Sequence, residues 1–160
     1  MENIQIYRNL QKHLNKQPVG FPGERSGSDI RLLMRHFTEE EALVAIEMSY
    51  RYEPAETIYG RAKKHGLTLE ELKTKLDAMS SKMCIMQRET DGILHYCLLP
   101  LVIGMYEGMV FDMDSDYVKA YDEYAHSMQH GLSFISTEVL QMRTIPIEKS
   151  IETRHHIMQY

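Results

Sequence analysis

Cysteine is scarce in this chain: Cys84 and Cys97 are the two among 160 residues. Two thiols are too few for a four-thiolate iron–sulfur cluster held within this sequence or for a disulfide scaffold. If Asp91-Gly92 is a two-residue turn, Cys97 faces Met86 and Cys84 faces Leu99. The thiols are then diagonal neighbours, about 7–8 Å apart. A disulfide wants roughly 4.4–6.8 Å between Cα atoms, so both cysteines are expected reduced and half-buried. Long apolar runs are missing too. The longest, Cys97 to Met105, is interrupted by Pro100 and Gly104, and a membrane span needs about 20 apolar residues. The amino terminus, MENIQIYRNLQKHL, has no apolar core of signal-peptide type. The expected location is the cytoplasm. An excess of basic charge is also lacking: 18 Lys and Arg stand against 23 Asp and Glu. A nucleic-acid binder usually carries a basic footprint. There is no low-complexity segment and no internal repeat.

Nucleotide and metal signatures are absent as well. Gly20, Gly23 and Gly27 fail the Walker spacing, no lysine follows them, and no GxGxxG or HExxH exists. No nucleophile–base pair can be assigned. Asp122, His126 and His130 recur every four residues, which on one helix places them on one face. H-x3-H is compatible with a metal site, and His155 and His156 would have to supply the remaining ligands. A solvated stripe is the favoured reading, so no metal site is assigned and the chain is read as non-catalytic.

What is present is helical periodicity and one hairpin. The chain is long enough to bury roughly 70% of its unfolded surface in one domain. Tyr7, Leu10 and Leu14 share a helix face. A breaker-rich loop, QPVGFPGERSG, precedes a short helix marked by Ile30, Leu33, Met34 and Phe37. Thr38 with Glu41 is a capping box that opens a helix to about Tyr50. Pro54 suits a first helical turn, and the next helix runs to His65 and stops at Gly66. Thr68 with Glu71 is a second capping box. Leu69, Leu72, Leu76, Met79 and Met83 form the apolar stripe behind it. Helix, tight break, helix is the helix-turn-helix pattern. CIMQRE-TDG-ILHYCLL then reads as two strands around an Asp-Gly turn. The expectation is a mostly α fold, a winged helix-turn-helix with extra flanking helices. The helical domain spans about 1–130, with the wing at 83–99 and extra helices at 101–130, and residues 131–160 form an extended tail or linker with a β-rich patch, Thr144 to Ile147. Val102, Tyr106, Met109 and Met113 mark one face of those extra helices. Tyr117, Tyr121, Tyr124 and Met128 mark the next. Twelve methionines are read as core filling, with an adaptable binding surface as the alternative.

Two surfaces carry functional expectations. In a winged helix the second helix of the motif meets the major groove. Lys73, Thr74 and Lys75 would lie there, with Arg88 on the wing. Thr68 to Lys82 holds three acids against three bases, so DNA is the less favoured partner. The second surface is Pro100 to Glu123. Between Glu107 and Glu123 stand six acids against Lys119 alone. Tyr106, Glu107, Asp112, Asp114 and Asp116 are the expected partner-binding residues, since Tyr and Met favour interfaces and local acidity steers a basic partner.

Three runs, FPGERSGSDIRLLMRHFTEEEALVAIEMS, PAETIYGRAKKHGLTLEELKTKLDAMSSKMCI and PLVIGMYEG, resemble the amino-terminal domain of a family of ferredoxin-like 4Fe-4S proteins from anaerobic prokaryotes. The resemblance covers about Pro18 to Ser150. It rests on Pro22, Glu24, Ser26 and Gly27, on Leu33 and Phe37 to Glu40, and on Pro100, Gly104, Tyr106 and Glu107. IPIEKSIETRHHIMQY resembles the linker into that family's cluster segment. The resemblance implies a winged-helix-like domain preceding a segment whose cysteines bind 4Fe-4S clusters. This sequence lacks those ligands, so no cofactor is expected on it. The implied function is a docking domain associated with an iron–sulfur electron-transfer protein, with a DNA-binding regulator as the alternative. The partner is a protein or a neighbouring iron–sulfur domain, with a homodimer left open.

Overall fold

The computed structural model describes residues 3–136. Helix α1, Ile4–Leu14, buries Tyr7, Leu10 and Leu14. Helix α2, Ser28–His36, follows the glycine- and proline-rich loop, and α3, Glu39–Ile46, opens on the expected capping box. Thr38 Oγ1 accepts from the Glu41 amide at 3.3 Å and Glu41 Oε2 accepts from the Thr38 amide at 2.8 Å. The box satisfies two amides that a helix start leaves without partners.

Helix α3 stops at Ile46, four residues before the expected end. The carbonyls that would continue it are taken by distant donors. Arg61 Nε donates to the Glu47 carbonyl at 2.7 Å, and the His13 ring lies 2.7 Å from the Met48 carbonyl. The Leu98 amide donates to the Ser49 carbonyl at 2.8 Å. The freed chain forms a two-residue strand, β1, Glu53–Pro54, which the sequence did not suggest. Pro54 is extended, with ψ at 154°, and caps helix α4, Ala55–Ala62. A 3-10 turn, Lys63–His65, ends at Gly66.

The second capping box opens α5, Leu69–Ser81, whose Leu72, Leu76 and Met79 are buried. Met83 lies outside the helix and is 41% exposed, so the apolar stripe ends at Met79. Its φ is +56°. Met83 N donates to the Ser80 carbonyl and Cys84 N to the Met79 carbonyl. That pair of bonds is a Schellman termination, a position that usually takes glycine.

Strands β2, Ile85–Thr90, and β3, Ile93–Leu98, form the expected hairpin. Asp91 and Gly92 both have positive φ, as a type I′ turn requires. Met86 pairs with Cys97, the register read from the sequence, and β1 pairs on the far side of β3. The antiparallel order is β1-β3-β2.

After Pro100 the expected long helix is broken. Val102 and Ile103 are extended, and helical geometry is confined to α6, Tyr106–Gly108. The Gly104 amide donates to Glu107 Oε2 at 2.5 Å, which starts α6 there. Helix α7, Ser115–Ala125, buries Tyr117 and Tyr124 against α2. Helix α8, Met128–Ile135, is capped by Ser127. It carries helix past residue 130, into the segment expected to be extended. Met128 is 73% exposed and is not part of the α7 face. The Thr144–Ile147 patch, His155, His156 and the linker-like run IPIEKSIETRHHIMQY lie outside the described residues.

The fold is therefore mostly helical with a three-stranded antiparallel sheet. Its core joins both halves: Leu10, Leu33 and Phe37 belong to the same buried cluster as Leu72, Ile85 and Tyr117. Among the described residues no helix is long and apolar enough to cross a membrane.

Candidate functional site: two faces of the helical domain

The α5 face is polar and internally paired. Lys75 bonds to Glu40 of α3. Lys73 Nζ lies 3.6 Å from Glu56 of α4 and 4.0 Å from Glu70. The Thr74 hydroxyl donates to the Glu70 carbonyl at 3.0 Å. Arg88 stacks 4.2 Å from the centre of the Tyr52 ring. Each side chain expected to meet DNA thus has a partner within the protein, and α5 keeps Glu70, Glu71 and Asp77 on the same helix.

Between α4, α5 and the hairpin turn runs a groove of about 340 Å³. Glu56, Lys73 and Asp77 line it beside Ile93 and Leu94, with Tyr96 at its floor. Past Asp77 it meets a trough of about 360 Å³ reaching Ser80, Ser81 and Gln87. Tyr96 is 3% exposed. Burial raises its hydroxyl above the usual tyrosine range, and the Asp77 and Glu56 carboxylates raise it further. Sequence reading missed this site. Glu56, Asp77 and Tyr96 belong to three elements, and no local spacing announces their meeting.

The other face holds the residues expected to bind a partner, and several of them serve the fold. Tyr106 stacks on Tyr121 with centroids 3.8 Å apart. Glu107 is occupied by the Gly104 amide. Asp114 caps α7, accepting from the Tyr117 amide at 2.8 Å, and pairs with Arg35 at 2.5 Å. The Tyr117 amide first, and the nearby Arg35 after it, hold the Asp114 carboxyl below its ordinary range. Asp112 and Asp116 are exposed. Between α6 and α7 the chain presents Val110 at 56% and Phe111 at 98% exposure, directly before Asp112. Phe111 has no periodic place in the sequence, which is why pattern reading passed over it.

The histidines do not share a helix. His126 ends α7, 3.2 Å from Asp122, whereas His130 lies in α8 with its ring 4.7 Å from that of Tyr124. Burial lowers the His130 pKa. No group of three His, Cys, Asp or Glu side chains able to hold a metal occurs among the described residues. Cys84 and Cys97 are free thiols. An apolar cavity of about 150 Å³ lies under Tyr50 between Leu14 and Pro100. No family model, curated protein or solved structure matches the chain.

Proposed function

We propose that the chain is a non-catalytic, cytoplasmic docking domain of winged-helix type that serves an iron–sulfur electron-transfer protein. The observation that carries the docking reading is Phe111, an aromatic side chain left 98% exposed next to Val110 and Asp112. Aromatic anchors of this kind dominate protein interfaces. The winged-helix assignment draws on the order α3-β1-α4-α5-β2-β3 and on the β1-β3-β2 pairing. The iron–sulfur association draws on the sequence resemblance. The alternative, a DNA-binding regulator, keeps one observation in its favour: the same order leaves the polar side of α5 beside the hairpin.

Two measurements separate the readings. Immobilised wild-type protein, used anaerobically on an extract of its native source, should retain a protein containing iron and sulfide, and Phe111→Ser should lose it. Equal retention by both would remove Phe111 from the interface. Titration with random duplex DNA should give affinity weaker than roughly 10⁻⁴ M at physiological salt. Micromolar binding with a steep salt slope would replace docking by the regulator.

A further inference from the structure

We propose that the cavity under Tyr50 binds a small apolar carboxylate, a molecule with one ring or a short branched chain and an acid group that stays at the cavity mouth. The site is separate from the docking face. It shares no residue with the stretch that carries Phe111, and it gives the domain a ligand besides its protein partner.

The cavity holds about 150 Å³, a volume that in an apolar interior accepts a single benzene-sized ring. Leu14, Pro18, Val19, Leu98 and Pro100 wall it, and Tyr50, 47% exposed, completes the lining. Stretches distant in the chain meet here, and hydrogen bonds fix their spacing. The Leu98 amide donates to the Ser49 carbonyl at 2.8 Å, and the His13 ring lies 2.7 Å from the Met48 carbonyl and 3.2 Å from Gln17 Nε2. Walls pinned in this way form the hollow before any ligand arrives, as ligand sites commonly do.

Charge beside the cavity selects the ligand. Arg51 lies over the Tyr50 ring, 5.5 Å from its centre, and its Nε donates to the Tyr50 hydroxyl at 3.3 Å. Its Nη groups, part of the fork that fits a carboxylate, have no partner among the described residues. Lys16 directly precedes Gln17, which also lines the cavity, and forms no ion pair among the described residues. No Asp or Glu is among the lining residues. An acid placed just beyond an apolar body therefore meets cations here. A partner's phenylalanine or leucine side chain would bring no charge to Arg51, whereas a free carboxylate brings ring and acid in one molecule.

The test is a ¹⁵N-resolved NMR titration of the full chain with phenylacetate, phenylacetamide and acetate, and with the blocked peptide Ala-Ala-Phe-Ala-Ala. Phenylacetate should shift the amides of Leu14, Gln17, Val19, Tyr50, Leu98 and Leu99 saturably, with a dissociation constant of about a millimolar or below. Phenylacetamide, similar in shape but uncharged, should bind about threefold more weakly or worse, and acetate should leave these amides in place. Arg51→Gln should weaken phenylacetate by about three- to tenfold and phenylacetamide hardly at all, a difference that a merely structural role of Arg51 would not produce. Val19→Phe, which fills the hollow, should abolish both. Equal affinity for acid and amide, saturable shifts from acetate, or no binding of phenylacetate would overturn the proposal. Saturable binding of the peptide in place of phenylacetate would make the cavity an anchor for a partner's side chain and overturn it as well. None of these outcomes touches docking through Phe111, which stands or falls on retention by Phe111→Ser.

Discussion

His36 Nε2 lies 3.0 Å from the Tyr117 hydroxyl, a contact that ties the end of α2 to α7. His36 is 1% exposed, and its Nδ1 has no hydrogen-bond partner among the described residues. Burial first, then the positive charges of Lys82 and Arg35, lower its pKa from 6.5 to about 4. The imidazole is therefore neutral in the folded protein at neutral pH.

This depression makes stability fall with acid. Between pH 6.5 and about 4 the unfolded chain binds a proton that the folded one refuses, so stability drops as pH falls through that window. Above the window His36 contributes no pH dependence, and below it the loss is complete. The full loss is on the order of 3 kcal/mol. Urea unfolding at pH 7 and pH 5 should show the decline in wild type. His36→Gln, which keeps a hydrogen-bonding group but cannot titrate there, should flatten it. The shared carboxylate titrations cancel in that comparison. Equal slopes for the two proteins would refute the assignment.

Gly108 and Met83 form a second coupled pair. A Cβ built on Gly108 would lie 2.2 Å from the Met83 Cβ, the stem of that side chain and not its flexible end. Gly108→Ala should therefore destabilise by about 1–3 kcal/mol through overpacking. Met83 meanwhile holds a left-handed backbone that favours glycine. Met83→Gly should relieve both problems, so the double variant should melt above Gly108→Ala alone. Additive losses would show that the two positions do not touch in solution.

Much of this architecture was legible because its signals are local. The Thr38–Glu41 and Thr68–Glu71 boxes start helices where they stand in the sequence. Asp91-Gly92 with its flanking alternation sets the hairpin register. What escaped notice depends on contacts far along the chain. Strand β1 is two residues long, too short for any period, and exists because β3 offers an edge. The Val102, Tyr106, Met109 and Met113 spacing imitates a helix, yet the Glu107 bond to the Gly104 amide starts the turn late. The groove around Tyr96 needs α4, α5 and β3 assembled before it exists at all.

The acidic face separates by role. Asp114→Ala should lower the melting temperature by several degrees, because it removes the cap on the Tyr117 amide and the Arg35 pair together. Asp114→Asn should lie close to wild type, since asparagine caps as well as aspartate. Asp112→Ala and Asp116→Ala should leave the melting temperature unchanged, because both side chains face solvent. A matching loss at all three positions would mean that the cap contributes nothing particular.

The two thiols should differ sharply in reactivity. Cys84 is 0% exposed, its Sγ donates to the His36 carbonyl at 3.2 Å, and burial pushes its pKa up to about 12. The thiolate is the reacting species, so at neutral pH Cys84 holds roughly a thousandth of the thiolate of an ordinary cysteine. Cys97 is also raised, by burial first, but it lies on the hairpin with Tyr52 beside it. The Arg88 guanidinium stacks over that ring, 4.2 Å from its centre. The barrier at Cys97 is thus one side chain thick, whereas the barrier at Cys84 is the core. Iodoacetamide at pH 7.5, followed by peptide mass analysis, should label neither quickly in the folded protein. Tyr52→Ala should speed labelling of Cys97 by about tenfold or more while Cys84 stays protected. Unfolding in urea should equalise the two. Labelling of Cys84 as fast as Cys97 in the folded Tyr52→Ala variant would mean that α2 and the hairpin open together, and would undo the account of Cys84 as a thiol closed in the core.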